Sequence, residues 1–405
     1  MTSAMAFNDS DMSEKVLSSS RAAPLSVQQL DKAALRTLSP DDWDRLSAAA
    51  LVENPFYDRG HVLAGLDTLD KSKRVRAHAF RTTDGELAAL FLTQPRAIVP
   101  APFPVANSLA NTYQFGGAPL VHREHAGDVV QWWAERIASG KAPAAWSFAD
   151  IDTGSPLGLM LRAAAVAKGL HWRVVAPYDR AHLSRLEGGF EAHLNQVLSK
   201  SRLQDVRRTM RRLGEAGPFS LEHVEDGGAF TKRLEEFLQL EHSGWKGVQG
   251  TSFLSHKHDV AFARAAYRPG FAALDSLLFE GKPIAMKLSI RTGPTAFTPK
   301  IAYDESFKKL GPGMALEYLL VQDFYASDTL MGIDSASTAE GHSALNFFNN
   351  RKAMGTVLVG RHAWQVNLLA KLYDGRKALK QRAKQLQADW KARTTNAERK
   401  KPAAG

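Results

Sequence analysis

The feature that most constrains the fold is an order of elements that occurs twice along the chain. In the C-terminal half, a strand hairpin turns at Gly281, a third strand follows, and a loop at Gly311 opens a helix. In the N-terminal half, a hairpin turns at Gly85, and the loop beginning at Gly116 precedes the next helix. Corresponding motifs lie roughly 190 residues apart, a spacing that suggests a duplicated structural unit. The sequence therefore predicts two α+β lobes of similar fold.

Length and composition agree with two lobes. The chain has 405 residues, of which 44% are hydrophobic and 23% charged, as in globular proteins with two cores. No apolar run reaches the length of a membrane helix or forms a signal-peptide core, so we expect a cytoplasmic protein. The predicted organisation is a disordered N-terminus (1–28), an N-terminal lobe (29–178), a C-terminal lobe (179–365) and a basic helical or disordered tail (366–405).

Cysteine and charge exclude several kinds of chemistry. The chain has no cysteine, which rules out a thiol nucleophile, a disulfide framework and a Cys-ligated zinc site. Residues 371–405 carry 11 Lys and Arg against three Asp and Glu, a net charge of +8 out of the formal +10. The body is therefore nearly neutral, and no nucleic acid is expected to bind it. The tail either aids solubility or contacts anionic surfaces.

The segment predicted to join the lobes, residues 190–213, reads as one basic helix. Its apolar side chains recur with the spacing of a single helix face at Leu203, Val206, Met210 and Leu213. Its basic side chains are Lys200, Arg202, Arg207, Arg208, Arg211 and Arg212. The basic face is either a solvated surface or a site for an anionic acceptor or the phosphates of a cofactor. We also expect a strand at 111–114 and a short helix at 343–352.

The most informative segment is the glycine loop of the C-terminal half. A glycine loop that feeds a helix leaves backbone N–H groups pointing one way with the positive end of the helix dipole behind them, which suits phosphate. Glycine lets the backbone approach a ligand closely, and the two preceding lysines add positive charge. The residues assigned to this site are Lys308, Lys309, Gly311, Gly313 and Met314.

This loop resembles the diphosphate-binding loop of GNAT acyltransferases, patterned Gln/Arg-x-x-Gly-x-Gly/Ala, as Lys308-x-x-Gly311-x-Gly313. Lysine in place of the usual first residue keeps the charge and loses the planar bidentate geometry of arginine. The corresponding N-terminal segment, from Gln114 to Pro119, has no basic residue. We therefore expect the first lobe to lack the cofactor.

A longer stretch, from about residue 180 to residue 360, resembles the tandem-GNAT acetyltransferases related to FemAB transferases and to CelD/BcsL-type polysaccharide proteins. The motifs are Arg207-Arg208-x-x-Arg211-Arg212-Leu213, Glu241-His242-Ser243-Gly244-Trp245-Lys246-Gly247, Tyr303-Asp304-Glu305 before Gly311-Pro312-Gly313, and Asp334-Ser335 before His342 and Arg351. The resemblance implies two tandem GNAT-like lobes, each a mixed, mostly antiparallel sheet flanked by helices. It also implies acyl transfer from acetyl-CoA or another acyl-CoA to an amine or hydroxyl of a small-molecule or glycan acceptor in the inter-lobe cleft, in polysaccharide biosynthesis.

Such a transfer needs a base, donors for the oxyanion and a proton for the leaving thiolate. His342 is the candidate base, because histidine titrates near neutrality, and Asp334 could orient it. Alternatively, His342 merely starts a helix, and Asp334 is a turn acid. Tyr303 either protonates the thiolate or packs beside the sheet.

Acceptor binding is assigned to the Trp-containing loop and to one later arginine: Glu241, Trp245, Lys246 and Arg351. Trp245 is either a platform that stacks on the acceptor or a plug in the core. The alternate histidines His256 and His258 read as a surface loop, and no metal site is predicted. Two other functions stay open, a FemAB-like transferase that uses aminoacyl-tRNA and a non-catalytic binding or scaffold protein.

Overall fold

The computed structural model describes residues 25–69, 74–94, 101–338 and 346–399. Thirteen strands in these residues form one continuous sheet. The strands are β1 (Ser26–Asp31), β2 (Arg76–Arg81), β3 (Leu87–Gln94), β4 (Val105–Ser108), β5 (Leu120–Val121), β6 (Ala145–Asp152), β7 (His171–Ser184), β8 (Phe219–Val224), β9 (Ala272–Phe279), β10 (Lys282–Thr292), β11 (Thr295–Tyr303), β12 (Gly332–Thr338) and β13 (Asn350–Gly360).

Helices cover both faces of this sheet. They are α1 (Lys32–Arg36), α2 (Pro40–Ala48), α3 (Arg59–Thr68), α4 (Ala126–Ala138), α5 (Pro156–Ala167), α6 (Gly189–Val197), α7 (Lys200–Ala216), α8 (Gly227–Ser243), α9 (Trp245–Val248), α10 (Lys257–Ala266), α11 (Pro312–Ala326) and α12 (Ala363–Arg399). No helix among the described residues combines the length and the apolar character needed to cross a membrane.

Counted inward from either edge, the sheet has the same order and direction of strands, which confirms the predicted pair of tandem lobes. The strand order is β1-β2-β3-β4-β6-β13-β7-β12-β11-β10-β9-β8, with β5 beside β3. Only the pairs β4–β6 and β11–β12 are parallel, and they occupy equivalent places in the two halves. The final strands cross over, because β13 pairs with β6 while β7 pairs with β12. Each lobe therefore completes the sheet of the other.

The cores follow this arrangement. In the N-terminal half, α4 and α5 pack on one face of the sheet, while α2 and α3 pack on the other. In the C-terminal half, α7 and α11 cover one face, and α8 and α10 cover the opposite face. The core under α8 and α10 also contains Phe56, Ala64 and Tyr113 from the N-terminal half. The lobes thus share an apolar core as well as a sheet.

Three element predictions are wrong. Residues 111–114 form no strand, because the chain leaves the sheet at Ser108, where β4 ends. Residues 350–352 belong to β13 rather than to a helix, since they pair with β7; residues 339–345 lie outside the described part. Residues 190–213 are two helices, because Leu198 is extended and the Ser199 side chain caps a new helix by accepting the N–H of Arg202. The predicted apolar face of that second helix is buried at Leu203, Val206 and Leu213.

Candidate functional site

The predicted glycine loop joins β11 to α11. Gly311 stands before the helix in the left-handed region, with φ 62° and ψ 47°, and no side chain caps the helix start. The N–H of Met314 donates to the Gly311 carbonyl over 3.0 Å, and Pro312 has no N–H. The N–H of Gly313 has no acceptor in the described part of the chain. One main-chain donor at this helix end is therefore available to a ligand.

Space and charge at the loop also suit an anion. A β-carbon on Gly313 would lie 3.8 Å from the Tyr303 ring, and nothing else described stands within 4 Å. Lys308 and Lys309, in the 3₁₀ turn before the loop, are exposed and form no ion pair with the described residues. α11 carries no acidic residue in its first turn. The helix dipole and the lysines therefore act in the same direction.

The basic helix α7 runs beside this loop. A β-carbon on Gly311 would lie 3.0 Å from the Thr209 side chain, and Arg212 follows Thr209 on the adjacent turn. Arg212 forms no ion pair with a described residue. Three other arginines of α7 are neutralised on the surface, in the pairs Arg207–Glu191, Arg208–Asp205 and Arg211–Glu215. The solvated-surface interpretation thus fits most of α7, and the phosphate interpretation fits Arg212.

Strands β11 and β12 separate beside the loop. They pair over only three residues, ending at Phe297 and Asp334, after which β11 continues to Tyr303 paired with β10 on its other side. Backbone groups alternate along a strand, so those of Pro299 and Ile301 face this opening. Pro299 has no N–H, and the Ile301 carbonyl already accepts a hydrogen bond from Lys246 Nζ over 2.6 Å. A ligand lying along this edge meets the Lys246 ammonium group.

A buried carboxylate holds Lys246 in place. Glu241 Oε1 accepts from Lys246 Nζ at 3.1 Å and from Lys300 Nζ at 3.0 Å, while Oε2 accepts from the Phe253 N–H at 2.9 Å. Burial raises the pKa of Glu241, but the two ammonium groups lower it more, so it lies below its ordinary value. Burial, with the nearby Lys300 charge, lowers the pKa of Lys246. Glu241 is enclosed, so it positions two lysines and does not meet an acceptor itself.

Asp334 lies in a second buried ionic cluster. Its carboxylate accepts from Lys352 Nζ at 2.7 Å and from the Ala336 N–H at 2.8 Å, and Arg180 Nη1 lies 3.8 Å away. Burial raises the pKa of Asp334, but Arg180 and Lys352 lower it more, so this pKa lies below its ordinary value and the carboxylate is charged. His342 lies outside the described residues. The predicted pair of Asp334 with His342 therefore stays a prediction.

The same cluster connects the two lobes. Arg180 donates to the Tyr178 hydroxyl at 2.8 Å, and that hydroxyl donates to Asp150 Oδ1 at 3.1 Å. Asp150 and Asp334 occupy equivalent strands in the two halves, so Arg180 and Tyr178 join two related aspartates. Sequence reasoning named Asp334 and missed the arginine and the tyrosine that join it to Asp150. Nothing local in β7 marks these two side chains as neighbours of Asp334.

The remaining predicted residues divide between the opening and elsewhere. Trp245 is 45% exposed, so its interpretation as a core plug is wrong. Its backbone N–H donates to Glu305 Oε1 at 2.8 Å. Its ring centre lies 6.0 Å from Lys246 Nζ, which places the indole at the opening. Tyr303 lies beside Gly313. Arg351 is exposed and lies on the face of β13 opposite to Lys352, away from the Asp334 cluster.

Histidines 256 and 258 stack on each other at the start of α10, with ring centres 5.4 Å apart. Within the described ranges, no group of three or more His, Cys, Asp or Glu side chains is arranged to hold a metal ion.

Comparisons with known proteins agree with this geometry. Residues 200–340 match the family model for the acetyltransferase (GNAT) domain. No curated protein sequence gives a significant match. The crystal structure of FemX aligns with 82% of this chain and 96% of its own, at 10% identity and a TM-score of 0.55. A conserved protein of unknown function from Bacteroides thetaiotaomicron VPI-5482 aligns with 83% and 99%, at 12% identity and 0.50.

A tandem GNAT protein from the clavulanic acid biosynthesis pathway also aligns, with 84% of this chain and 99% of its own, at 14% identity and a TM-score of 0.41. The predicted resemblance to tandem-GNAT, FemAB-related proteins is thus confirmed at the level of fold. Residues 200–340 are thus similar to the GNAT acetyltransferase domain, within a chain whose two lobes share the fold of FemX.

Proposed function

We propose that this protein transfers an acyl group from an acyl-CoA, in the first instance acetyl-CoA, to an amine or hydroxyl of a small polar or glycan acceptor. A role in polysaccharide biosynthesis is part of the same proposal. The observation that carries it is the start of α11, where, among the described residues, the Gly313 N–H has no partner and no side chain caps the helix. That helix end is the place where a diphosphate binds most favourably.

The residues at the loop fit the donor. The Gly313 N–H would donate to a diphosphate oxygen, while Lys308, Lys309 and Arg212 are free to balance its charge. CoA supplies the thioester, and the acceptor nitrogen or oxygen bonds to the acyl carbon as the carbon–sulfur bond breaks. The acceptor proton passes to a base, for which His342 is proposed, and the thiolate takes a proton, for which Tyr303 is proposed.

Lys246 adds a charged donor at the opening between β11 and β12. Glu241 and the Ile301 carbonyl fix its ammonium group, so no side-chain rearrangement is needed when negative charge develops nearby. A preorganised donor of this kind stabilises an oxyanion more than a mobile one does. We assign Lys246 this role, with Trp245 as the exposed surface that covers the ligand.

One observation favours a second donor. On the β11 edge, Pro299 has no N–H and the Ile301 carbonyl already binds Lys246, so a pantetheine chain has only the Pro299 carbonyl and the Ile301 N–H to bond to at these two residues. An aminoacyl-tRNA needs no such strand-like contact, so aminoacyl transfer is the alternative function. Binding experiments separate the two donors.

The test is calorimetric titration of CoA into the full-length protein, its Gly313→Glu variant and its Gly127→Glu variant. Gly127 is the matched control, because it is the second residue of α4 as Gly313 is of α11, with nothing within 4 Å of its added β-carbon. We expect Gly313→Glu to weaken CoA binding at least about tenfold by placing a carboxylate at the phosphate site, and Gly127→Glu to leave it unchanged.

Equal binding by all three proteins would remove the loop from the donor site. Thermal shift with unacylated tRNA provides the second arm, since a ligand that binds the native state raises the melting temperature. Stabilisation by tRNA without any response to CoA would replace acyl-CoA by aminoacyl-tRNA as the donor.

A further inference from the structure

A cavity of about 380 Å³ lies between the lobes, outside the donor loop. Its walls come from α3, from the loop that follows β4, and from the first turn of α10. The lining residues are Gly65, Leu66, Leu69, Gln94, Leu109, Ala110, Asn111, Thr112, His258 and Asp259. Its volume lies within the usual range for small-molecule sites.

The cavity exists because the N-terminal copy of the donor strand is short. After β4 the chain crosses towards the C-terminal half, where the Tyr113 ring packs 4.8 Å from Phe253 and 4.9 Å from Phe262. Asn111 Oδ1 accepts the Tyr113 N–H at 2.8 Å and fixes this crossing. Gly65 leaves room for the Asn111 amide, since a β-carbon there would lie only 3.2 Å from Asn111 Nδ2. Both lobes therefore build the cavity.

The polar groups in its wall combine one carboxylate with neutral donors and acceptors. Asp259 is 8% exposed, and its charge acts on the Tyr113 hydroxyl. Burial, together with the Asp259 charge, raises the pKa of Tyr113, so the hydroxyl stays a donor. Gln94 Nε2 donates to the Ala110 carbonyl at 3.0 Å, which leaves its Oε1 without a described partner. Asn111 Nδ2 likewise has no described acceptor.

His258 is the other titratable group in the wall, with Nε2 3.5 Å from Asp259 Oδ1. It is more than half exposed, so it stands at the rim and does not fill the cavity. No lysine or arginine is among the described residues that line the cavity. The cavity therefore favours a ligand that is positively charged and also offers hydroxyl groups.

We propose that this inter-lobe cavity binds an amino sugar, with its ammonium group on Asp259 and its hydroxyls on Asn111 and Gln94. The leucines of the lining, at positions 66, 69 and 109, provide apolar contact for the ring carbons. The inference deepens the proposed function by naming the class and the site of the acceptor, and to that extent it rests on that function.

A contiguous path links the cavity to the donor edge. Tyr113, whose hydroxyl is influenced by the Asp259 charge, has its ring centre 5.4 Å from Lys300 Nζ. Lys300 shares Glu241 with Lys246, and Lys246 binds the β11 carbonyl of Ile301. Ligand in the cavity and donor on β11 thus contact one connected group of side chains.

The test compares D-glucosamine with D-glucose at pH 7, by ligand-observed NMR and calorimetry on the full chain without CoA. The two sugars differ at one position, where an ammonium replaces a hydroxyl. A charge-assisted hydrogen bond to Asp259 predicts at least about tenfold tighter binding of glucosamine. Asp259→Asn should reduce this preference to about twofold or less.

Asp128→Asn is the matched control, because Asp128 occupies the same third position of α4 that Asp259 occupies in α10. Both variants remove a first-turn carboxylate, but only Asp259 lines the cavity. Asp128→Asn should keep the full preference for glucosamine. If Asp259→Asn does not fold, Gly65→Ala serves instead, since its β-carbon displaces the Asn111 amide and should weaken both sugars about threefold.

The inference is overturned if neither sugar binds, if the preference survives in Asp259→Asn, or if it is lost in Asp128→Asn. CoA titration of the same protein separates the two proposals. CoA binding that depends on Gly313, without sugar binding, leaves the acyltransferase proposal in place and removes this one. Glucosamine binding that depends on Asp259, without CoA binding, does the reverse.

Discussion

The two lobes share one topology and differ at the start of their equivalent helices, α4 and α11. Neither helix is capped by a side chain. Before and within its first turn, α4 carries the acidic residues Glu124 and Asp128, whereas α11 has no acid there and follows Lys308 and Lys309. Duplication explains the fold of both lobes. The difference in charge is the reason why we propose a phosphate site in the second lobe and not in the first.

The glycines of the two lobes also serve different purposes. A β-carbon on Gly117 would lie 2.0 Å from the Ala149 carbonyl oxygen, and the Gly116 carbonyl accepts hydrogen bonds from Asn54 and Gln114. These glycines allow close packing and do not lead directly into a helix, since β5 and a 3₁₀ turn intervene before α4. At Gly313 the space is open. Gly116 and Gly117 therefore serve close packing, whereas Gly313 leaves space for a ligand.

The largest effect is expected at the contact between β10 and α11, which differs from the contact between β3 and α4 in the other lobe. In the C-terminal lobe, Lys287 of β10 forms a buried ion pair with Glu317 of α11, at 2.7 Å. In the N-terminal lobe, Phe91 of β3 packs in the same core as α4. Lys287→Met should cost about 4 kcal/mol of unfolding free energy in urea, because it leaves a buried carboxylate unpaired. The double variant Lys287→Met/Glu317→Leu should recover most of that loss. Equal losses in the single and the double variant would contradict the explanation by an unpaired buried carboxylate.

Alanine at the two kinds of glycine should give the next largest difference. Gly117→Ala forces backbone to move and should cost about 3 kcal/mol in urea unfolding. Gly313→Ala should change stability by no more than about 0.5 kcal/mol, because its β-carbon makes only an ordinary contact with Tyr303. Similar costs at both sites would contradict the distinction.

Acid should weaken the contact between the lobes through His61 of α3, which packs against Phe262 of α10. Burial lowers the pKa of His61 from 6.5 to about 4, although Asp58 opposes this. The unfolded chain therefore binds a proton that the native protein does not, and stability falls as pH decreases from 6.5 towards 4. At pH 5 this group alone should cost about 2 kcal/mol relative to pH 7. His61→Phe should remove that part of the pH dependence; an unchanged profile would refute the assignment.

The smallest effect concerns the charges beside the loop. Lys308→Gln/Lys309→Gln should weaken CoA binding about fivefold and reduce its salt dependence, since both ammonium groups are exposed. Glu124→Gln/Asp128→Asn, the matched change in the N-terminal lobe, should leave CoA binding as it was. Calorimetry at two salt concentrations measures both, and loss of affinity in the second variant would point to the wrong lobe.

Local signals explain what the sequence predicted correctly. Strands β9 and β11 and the start of α11 follow from alternation, turn glycines and a proline at the first helical position, all of which act within a few residues. The duplicated order followed from recurrence of those signals. The position of the glycine loop was predicted in the same way, because a glycine and a proline at a helix start are local signals; its binding of phosphate stays a prediction.

Long-range pairing explains what the sequence did not predict. The exchange of β7 and β13 between the lobes depends on tertiary contacts, since alternation does not reveal which strand lies beside which. The link from Arg180 to Asp334 and the enclosure of Glu241 by two lysines follow from that pairing and from the position of α8. The inter-lobe cavity was also hidden, because Asn111 and Asp259 lie far apart along the chain.

The most direct measurement of the central claim is an NMR titration of the ¹⁵N-glycine-labelled protein with CoA. The Gly313 amide, which has no described acceptor, should shift strongly as its N–H bonds to the diphosphate, and the Gly127 amide at the equivalent place in α4 should not move. A Gly313 signal that is unmoved at saturating CoA, or a Gly127 signal that shifts in its place, would contradict the account.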